Sequence, residues 1–297
     1  MASPCWLSCS PAGGRGPRVS ACQSGWRAGE CRAVPRWIVQ NVPAWGLVAV
    51  AVIGVPALAV LVQRVLRQRA PSLVGGEQNE AAGFLGAVVA VVYAIIAGFM
   101  VITLWDQYVS AADTVHTETV NLRDLAEFSG AFGSASQNRI RDLVAQYSDS
   151  VATVEWKEMA RGEDSPVTQN DLDQLVTAVQ RLRVRNLADE GFLGTMLTQI
   201  DEVGEARQQR LDLSGQNIPA LLWLVVILAS AVTLAFCLLL GIPSAWLHYT
   251  MVASVAILIG ASLVLILLME YPYSGTIAVS PAPFAQVAAD MHAAIAG

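Results

Sequence analysis

The sequence predicts an all-α integral membrane protein, with four transmembrane helices arranged as two hairpins around a central helical extramembrane domain. Three observations carry this. The chain of 297 residues is 54% hydrophobic and only 14% charged, with a mean hydropathy of +0.49, whereas soluble domains carry about 25% charged residues. The charge is segregated: 19 of the 24 acidic residues and 10 of the 18 basic ones lie between Asp106 and Asp212, which leaves that stretch at −9. Finally, Val42–Val62, Ala81–Leu104, Ile218–Leu240 and Leu247–Met269 contain no Asp, Glu, Lys or Arg. At 1.5 Å per residue, runs of about 20 residues cross a hydrocarbon core of about 30 Å.

Taken in order, residues 1–41 read as a disordered extension. They are rich in Gly, Pro, Arg, Ser and Cys without periodicity, and they lack the apolar core of a signal peptide. The composition of residues 1–33 suggests that synthesis starts near Val34, an expectation that the intact mass of the native protein tests. Cys5, Cys9, Cys22 and Cys31 lack the paired spacing of a zinc module and have no His nearby, so neither metal nor cofactor is expected.

Residues 42–104 form the first hairpin. Trp45, Trp105, Trp223, Trp246, Tyr108 and Tyr249 sit near the ends of the four runs, where amphipathic rings favour the interface. The short connection after the first run carries Arg64, Arg67 and Arg69, which argues for a cytoplasmic loop. Arg27, Arg32, Arg36, Arg123, Arg207 and Arg210 argue the opposite, and the reading adopted places the central domain in the cytoplasm. In the second run, Gly83, Ala87, Ala90, Ala94 and Ala97 recur at three- and four-residue spacing. Such a face either packs against another span or lines a narrow axial path between copies of the chain.

Residues 105–217 read as an acidic helical domain. Tyr108, Ala112, Val115, Thr119, Leu122, Leu125 and Phe128 keep helical spacing, so the second span continues into the domain. A break at Ser129–Ser136 precedes a helix with Ile140, Leu143, Val144, Tyr147, Val151 and Val154. Thr168 and Asp171 resemble a capping box opening the next helix, and Phe192 to Leu211 form the last. Residues 218–270 are the second hairpin, turned at Gly241-Ile242-Pro243, and residues 271–297 are a C-terminal tail.

No catalytic constellation emerges, and the chain is not expected to be an enzyme. His116, His248 and His292 are scattered, and there is no P-loop or nucleophile elbow. An acidic chain of pI 5.1 lacks the basic stripe of a nucleic-acid binder. Glu155 with Glu158, or Asp106 with Asp113, could present paired carboxylates to a divalent cation, though solvated helix faces look the same. The spans offer only hydroxyls and Tyr93 at depth, with His248 and Glu270 at their ends, which argues against relay-driven transport.

A family resemblance rests on three ordered motifs. Tyr147, Val151 and Glu155-Trp156 form Y-x₃-V-x₃-E-W; Arg207-x₂-Arg210-Leu211 is followed by Pro219 and Trp223; Tyr271-Pro272-Tyr273-Ser274-Gly275 continues to Val279, Pro281 and Phe284. With the paired-span layout, residues 37–287 resemble a bacterial, largely actinobacterial, bestrophin-like membrane family, a domain of unknown function. The resemblance implies a self-associating, multi-pass protein of the bacterial plasma membrane. Bestrophins are pentameric, calcium-gated anion channels whose axial pore is built on the second span, so an ion channel for small anions is implied. The alternative is a non-conducting scaffold whose helical domain binds a partner. The chain departs from eukaryotic bestrophins: only Tyr93 and Phe99 are aromatic near mid-span, and there is no acidic run suited to a calcium clasp. The motif residues Tyr147, Glu155, Trp156, Arg207, Arg210, Pro272, Ser274 and Gly275 are expected to be structural. Glu155 would pair with Arg207 or Arg210 near the membrane surface, with Trp156 at the interface. Ser274 would stabilise a turn or present its hydroxyl near a pore mouth.

Overall fold

The computed structural model describes residues 39, 41–69, 79–216 and 218–296. The expectations for the N-terminal extension, apart from residues 39 and 41, fall outside the described residues. Among the described residues the long helical runs are α1 (Ala44–Arg69), α2 (Asn79–Phe128), α3 (residues 134–159), α4 (Pro166–Gln180), α5 (Leu187–Gly215), α6 (Ala220–Leu239), α7 (Ala245–Met269) and α8 (Ala282–Ala296). Among the described residues there is no strand. Helices α1, α6, α7 and the first half of α2 are long and apolar enough to cross a membrane.

The 50-residue α2 sets the architecture. No Gly or Pro interrupts it after Gly98, so it runs on for about 75 Å from the bilayer into the domain. In its membrane half, Tyr93, Ala97, Met100 and Leu104 pack with Val226 of α6 and Ile259, Ile266 and Met269 of α7. In its distal half, Ala111, Val115, Leu122 and Leu125 are buried, and the helix packs there against α3, α5 and α8.

Span-to-span packing depends on small residues. At Gly260 of α7 an added Cβ would come within 2.9 Å of the Ala51 carbonyl oxygen of α1. Ala51 lies in a π-helical turn, Val50–Gly54. The hydroxyls of Thr103, Ser230, Thr233 and Ser254 each donate to a carbonyl four residues earlier, and the Tyr93 hydroxyl bonds Ser262 at 2.6 Å. These hydroxyls are thus satisfied within the bundle, as hydrocarbon surroundings demand.

Several local expectations change. The cap of α4 is Ser165, whose Oγ accepts from the Thr168 amide at 3.4 Å, with Pro166 in the first helical position. Pro166, which supplies the preset φ of a helix start, wins over the box read at Thr168 and Asp171. The C-terminal tail is not a tail: α8 buries Phe284, Val287 and Ala288 against the domain. Three of its residues tie it down further, Asp290 to Arg123, His292 to Asp149 and the Ala294 carbonyl to Arg141. Its alanine-rich composition hid an amphipathic face whose large buried side chains are Phe284 and Val287.

Candidate functional site

Two features stand out, a buried ionic knot in the domain and the exposed face of α2. The knot is built from three helices whose apolar stripes are each interrupted by charge. On α2, Glu118 falls between Val115 and Leu122; on α3, Glu155 follows Tyr147 and Val151; on α5, Arg207 and Arg210 follow Ile200 and Val203. All are buried, and Glu118, Glu155 and Arg210 are fully so.

Arg210 lies at the centre. Its Nε donates to Glu118 Oε2 at 2.9 Å, and its Nη2 donates to Glu118 Oε1 at 3.1 Å and Glu155 Oε2 at 2.8 Å. Arg207 donates through Nε and Nη2 to Glu155 Oε1 at 3.0 and 2.5 Å, and through Nη1 to Gln169. The Tyr147 hydroxyl donates to Glu118 Oε1 at 2.5 Å. Two carboxylates balance two guanidiniums, which is what permits such burial. The Arg210 guanidinium also lies 5.2 Å from the Phe284 ring centre and 5.9 Å from that of Trp156. Burial opposes its charge, but Glu118, Tyr147 and Glu155 outweigh that and hold it even more firmly protonated than usual. Burial and the neighbouring Glu118 push Tyr147 well above its ordinary value. Burial likewise raises Tyr273.

The motif residues therefore meet in one place. Trp156 is buried within the protein, edge-on to Tyr273 at 5.5 Å and tilted against Phe284 at 6.1 Å. The π turn Val151–Glu155 advances the helix phase so that both Glu155 and Trp156 point inward. Pro272, Ser274 and Gly275 form the turn leaving α7, with Gly275 at φ +88°. The Ser274 hydroxyl donates to the Ala160 carbonyl at 3.3 Å. Because Glu155 is engaged by two arginines, a cation held between it and Glu158 is not compatible with this geometry. Glu118, absent from the sequence-level site, was detectable as a carboxylate at a core position of an apolar stripe.

At the membrane end of the domain, the Glu270 carboxylate accepts from the Ile218 amide at 3.2 Å and the Trp223 indole at 3.3 Å. This places an anion at the N-terminus of α6, where the helix dipole favours it. At the opposite end, His248 accepts from Gln63 at 3.0 Å and donates through Nε2 to the Cys237 carbonyl at 3.0 Å. Arg67 reaches the Ile242 carbonyl beside it.

The small-residue stripe of α2 is split. Ala97 is buried, Gly83 and Ala90 are half-buried, and Ala87 and Ala94 are exposed. A Cβ on Gly83 or Gly86 would meet Leu240 or Phe236 of the α6 hairpin, so that side is packed within the chain. The exposed side carries Phe84, Val91, Ile95, Phe99 and Ile102 in the membrane half. Beyond the bilayer it continues into a cleft lined by Asp106, Asp113, Thr117, Glu202, Glu205 and Gln209. Among the described residues, no three His, Cys, Asp or Glu side chains converge as metal ligands.

A helical membrane protein is the class this geometry defines: apolar spans, their hydroxyls bonded within the bundle, and a helical domain locked by buried charge. The chain belongs to the bestrophin-like family, matching the bestrophin-like domain over residues 53–284. The fold is similar to crystal structures of a bacterial bestrophin homologue from Klebsiella pneumoniae. For one variant the identity is 14% and the TM-score 0.65, covering 83% of this chain and 99% of that one. For a zinc-phased structure of the same homologue they are 14% and 0.63, covering 81% and 96%. A variant described as a membrane protein gives 13% and 0.63, covering 82% and 99%. No curated protein matches the chain.

Proposed function

We propose that the protein is the subunit of a homo-oligomeric ion channel in the bacterial plasma membrane, with the exposed face of α2 lining the conduction path. Membership of the bestrophin-like family supports this reading. The single observation that carries it is the character of that face. One unbroken helix presents an apolar band (Val91, Ile95, Phe99, Ile102) and then a row of carboxylates (Asp106, Asp113). An apolar constriction gates by dewetting, and charged rings beyond it select ions. The hydroxyls at depth in the four spans are taken up by bonds within one copy, so the path is placed between several copies. The resemblance implies anions; the carboxylates of this cleft favour cations.

Purified protein in liposomes tests the proposal. Flux with a reversal potential following K⁺ or Na⁺ is the expected result, shifting towards chloride when Asp106→Asn and Asp113→Asn are combined. Ile102→Ala should raise the flux. Vesicles tight to both cations and chloride refute a channel, and chloride selectivity unaltered by the double variant refutes the assigned lining. A scaffold role is the second reading. It is favoured by an open groove between α3 and α4, about 690 Å³, where Ser136, Arg139, Asn170, Asp173 and Arg181 offer mixed polar contacts to a partner.

A further inference from the structure

The surface between α1 and α7, two helices long and apolar enough to cross a membrane, holds a groove of about 460 Å³. Pro56, Ala57, Val60, Leu61 and Arg64 share one face of α1, and Ala253 of α7 forms the opposite wall. The walls are low because Ala57 and Ala253 are small, while Leu61 beside them is large and exposed. Arg64 is the single charged residue lining the groove. From Ala57 to Arg64 the helix rises about 10 Å, a length that a stretch of acyl chain fills.

Arg64 differs from its neighbour Arg67. Arg67 turns inward to the Ile242 carbonyl and lies 5.9 Å from the Tyr249 ring centre. Arg64 is exposed, and among the described residues no ion pair or hydrogen bond engages its guanidinium. It lies two residues past the end of the apolar run at Val62, and the end of an apolar run is where a spanning helix meets the headgroup region. A guanidinium is suited to bidentate contact with phosphate oxygens, and basic pockets between spans recruit anionic headgroups. Arg69, also exposed, adds positive potential at the same end, and α1 carries no acidic residue.

We propose that this groove is a binding site for an anionic phospholipid. One acyl chain lies along Pro56, Ala57, Val60 and Ala253, and the phosphate is held by Arg64. The site tethers α1 to α7 from the lipid side and is independent of ion conduction; it rests only on the membrane-spanning reading.

Native mass spectrometry of the full-length, delipidated protein tests this, using phosphatidylglycerol and phosphatidylcholine of equal acyl length as probes. The wild type should retain phosphatidylglycerol in preference to phosphatidylcholine. Arg64→Gln should weaken phosphatidylglycerol binding about fivefold, the effect of one basic group at a membrane surface, and leave phosphatidylcholine unchanged. Ala57→Phe, at an exposed position that cannot disturb the core, should weaken both lipids by filling the groove. Equal binding of the two lipids by the wild type, or unchanged phosphatidylglycerol binding in either variant, overturns the proposal. So does a wild type that binds neither lipid, the result expected where a second copy covers the groove.

Discussion

Replacing Arg210 by Met keeps most of the side-chain volume but removes the positive charge at the centre of the knot. Three hydrogen bonds to carboxylates, at 2.8, 2.9 and 3.1 Å, disappear together. Glu118 is left with Tyr147 as its partner and Glu155 with Arg207, so the buried cluster acquires a net negative charge. Breaking a buried ion pair by removing one partner costs about 3–5 kcal/mol. At about 2–4 °C per kcal/mol for a domain of this size, the melting midpoint in detergent should fall by roughly 6–20 °C. Adding Glu118→Gln restores neutrality, because Glu155 and Arg207 then balance. The double variant should therefore be more stable than the sum of the two single losses implies, by about 2 kcal/mol, within the coupling seen between residues of one network. Denaturant titration followed by tryptophan fluorescence measures all three. An Arg210→Met variant within 1 kcal/mol of the wild type, or strictly additive losses, would show that the knot does not hold the domain together.

Three further outcomes follow from the same geometry. Gly260→Ala should destabilise the protein by about 1–3 kcal/mol, because its Cβ meets backbone at Ala51, while Gly98→Ala, with nothing within 4 Å, should be neutral; thermal melts of the two variants give the comparison. The stability that Tyr147 and Tyr273 contribute should be fully present below pH 10, the ordinary tyrosine value, and decline above it, because both have raised values in the fold and the unfolded chain loses those protons first. Tyr147→Phe should reduce that alkaline slope, as read from denaturation at pH 9 and pH 11. Phe284→Ala should cost about 3–5 kcal/mol and expose α8 to limited proteolysis, since Phe284 is fully buried against Trp156.

The membrane half was largely legible because a span must be apolar over its whole length, and that constraint is written in consecutive residues. The extension of α2 was legible for a similar reason: a helical stripe from Tyr108 to Phe128 leaves no place for a break. The motif pairs were legible only as residue types. Glu155 could be assigned an arginine partner from charge, but its bonding to both Arg207 and Arg210 depends on the π turn in α3 and the approach of α5. The burial of Trp156 was not legible because an indole beside the bilayer reads the same in sequence as one in a core. Glu118 was overlooked since a lone carboxylate in an amphipathic helix ordinarily faces water.

What the sequence determined by itself is the division of the chain: four charge-free spans, an acidic helical domain between them, and polar groups in the spans too few for an ionic relay. These follow from the cost of placing charge in hydrocarbon, which acts residue by residue. Tertiary structure alone decided which side of α2 packs within the chain and which stays exposed. It also decided that Glu118, Glu155, Arg207 and Arg210 form one neutral buried cluster, capped by a C-terminal helix. Those outcomes depend on the phase and spacing of helices far apart in the chain, because burial of a charge is tolerated only where a second helix brings its counter-charge within bonding distance.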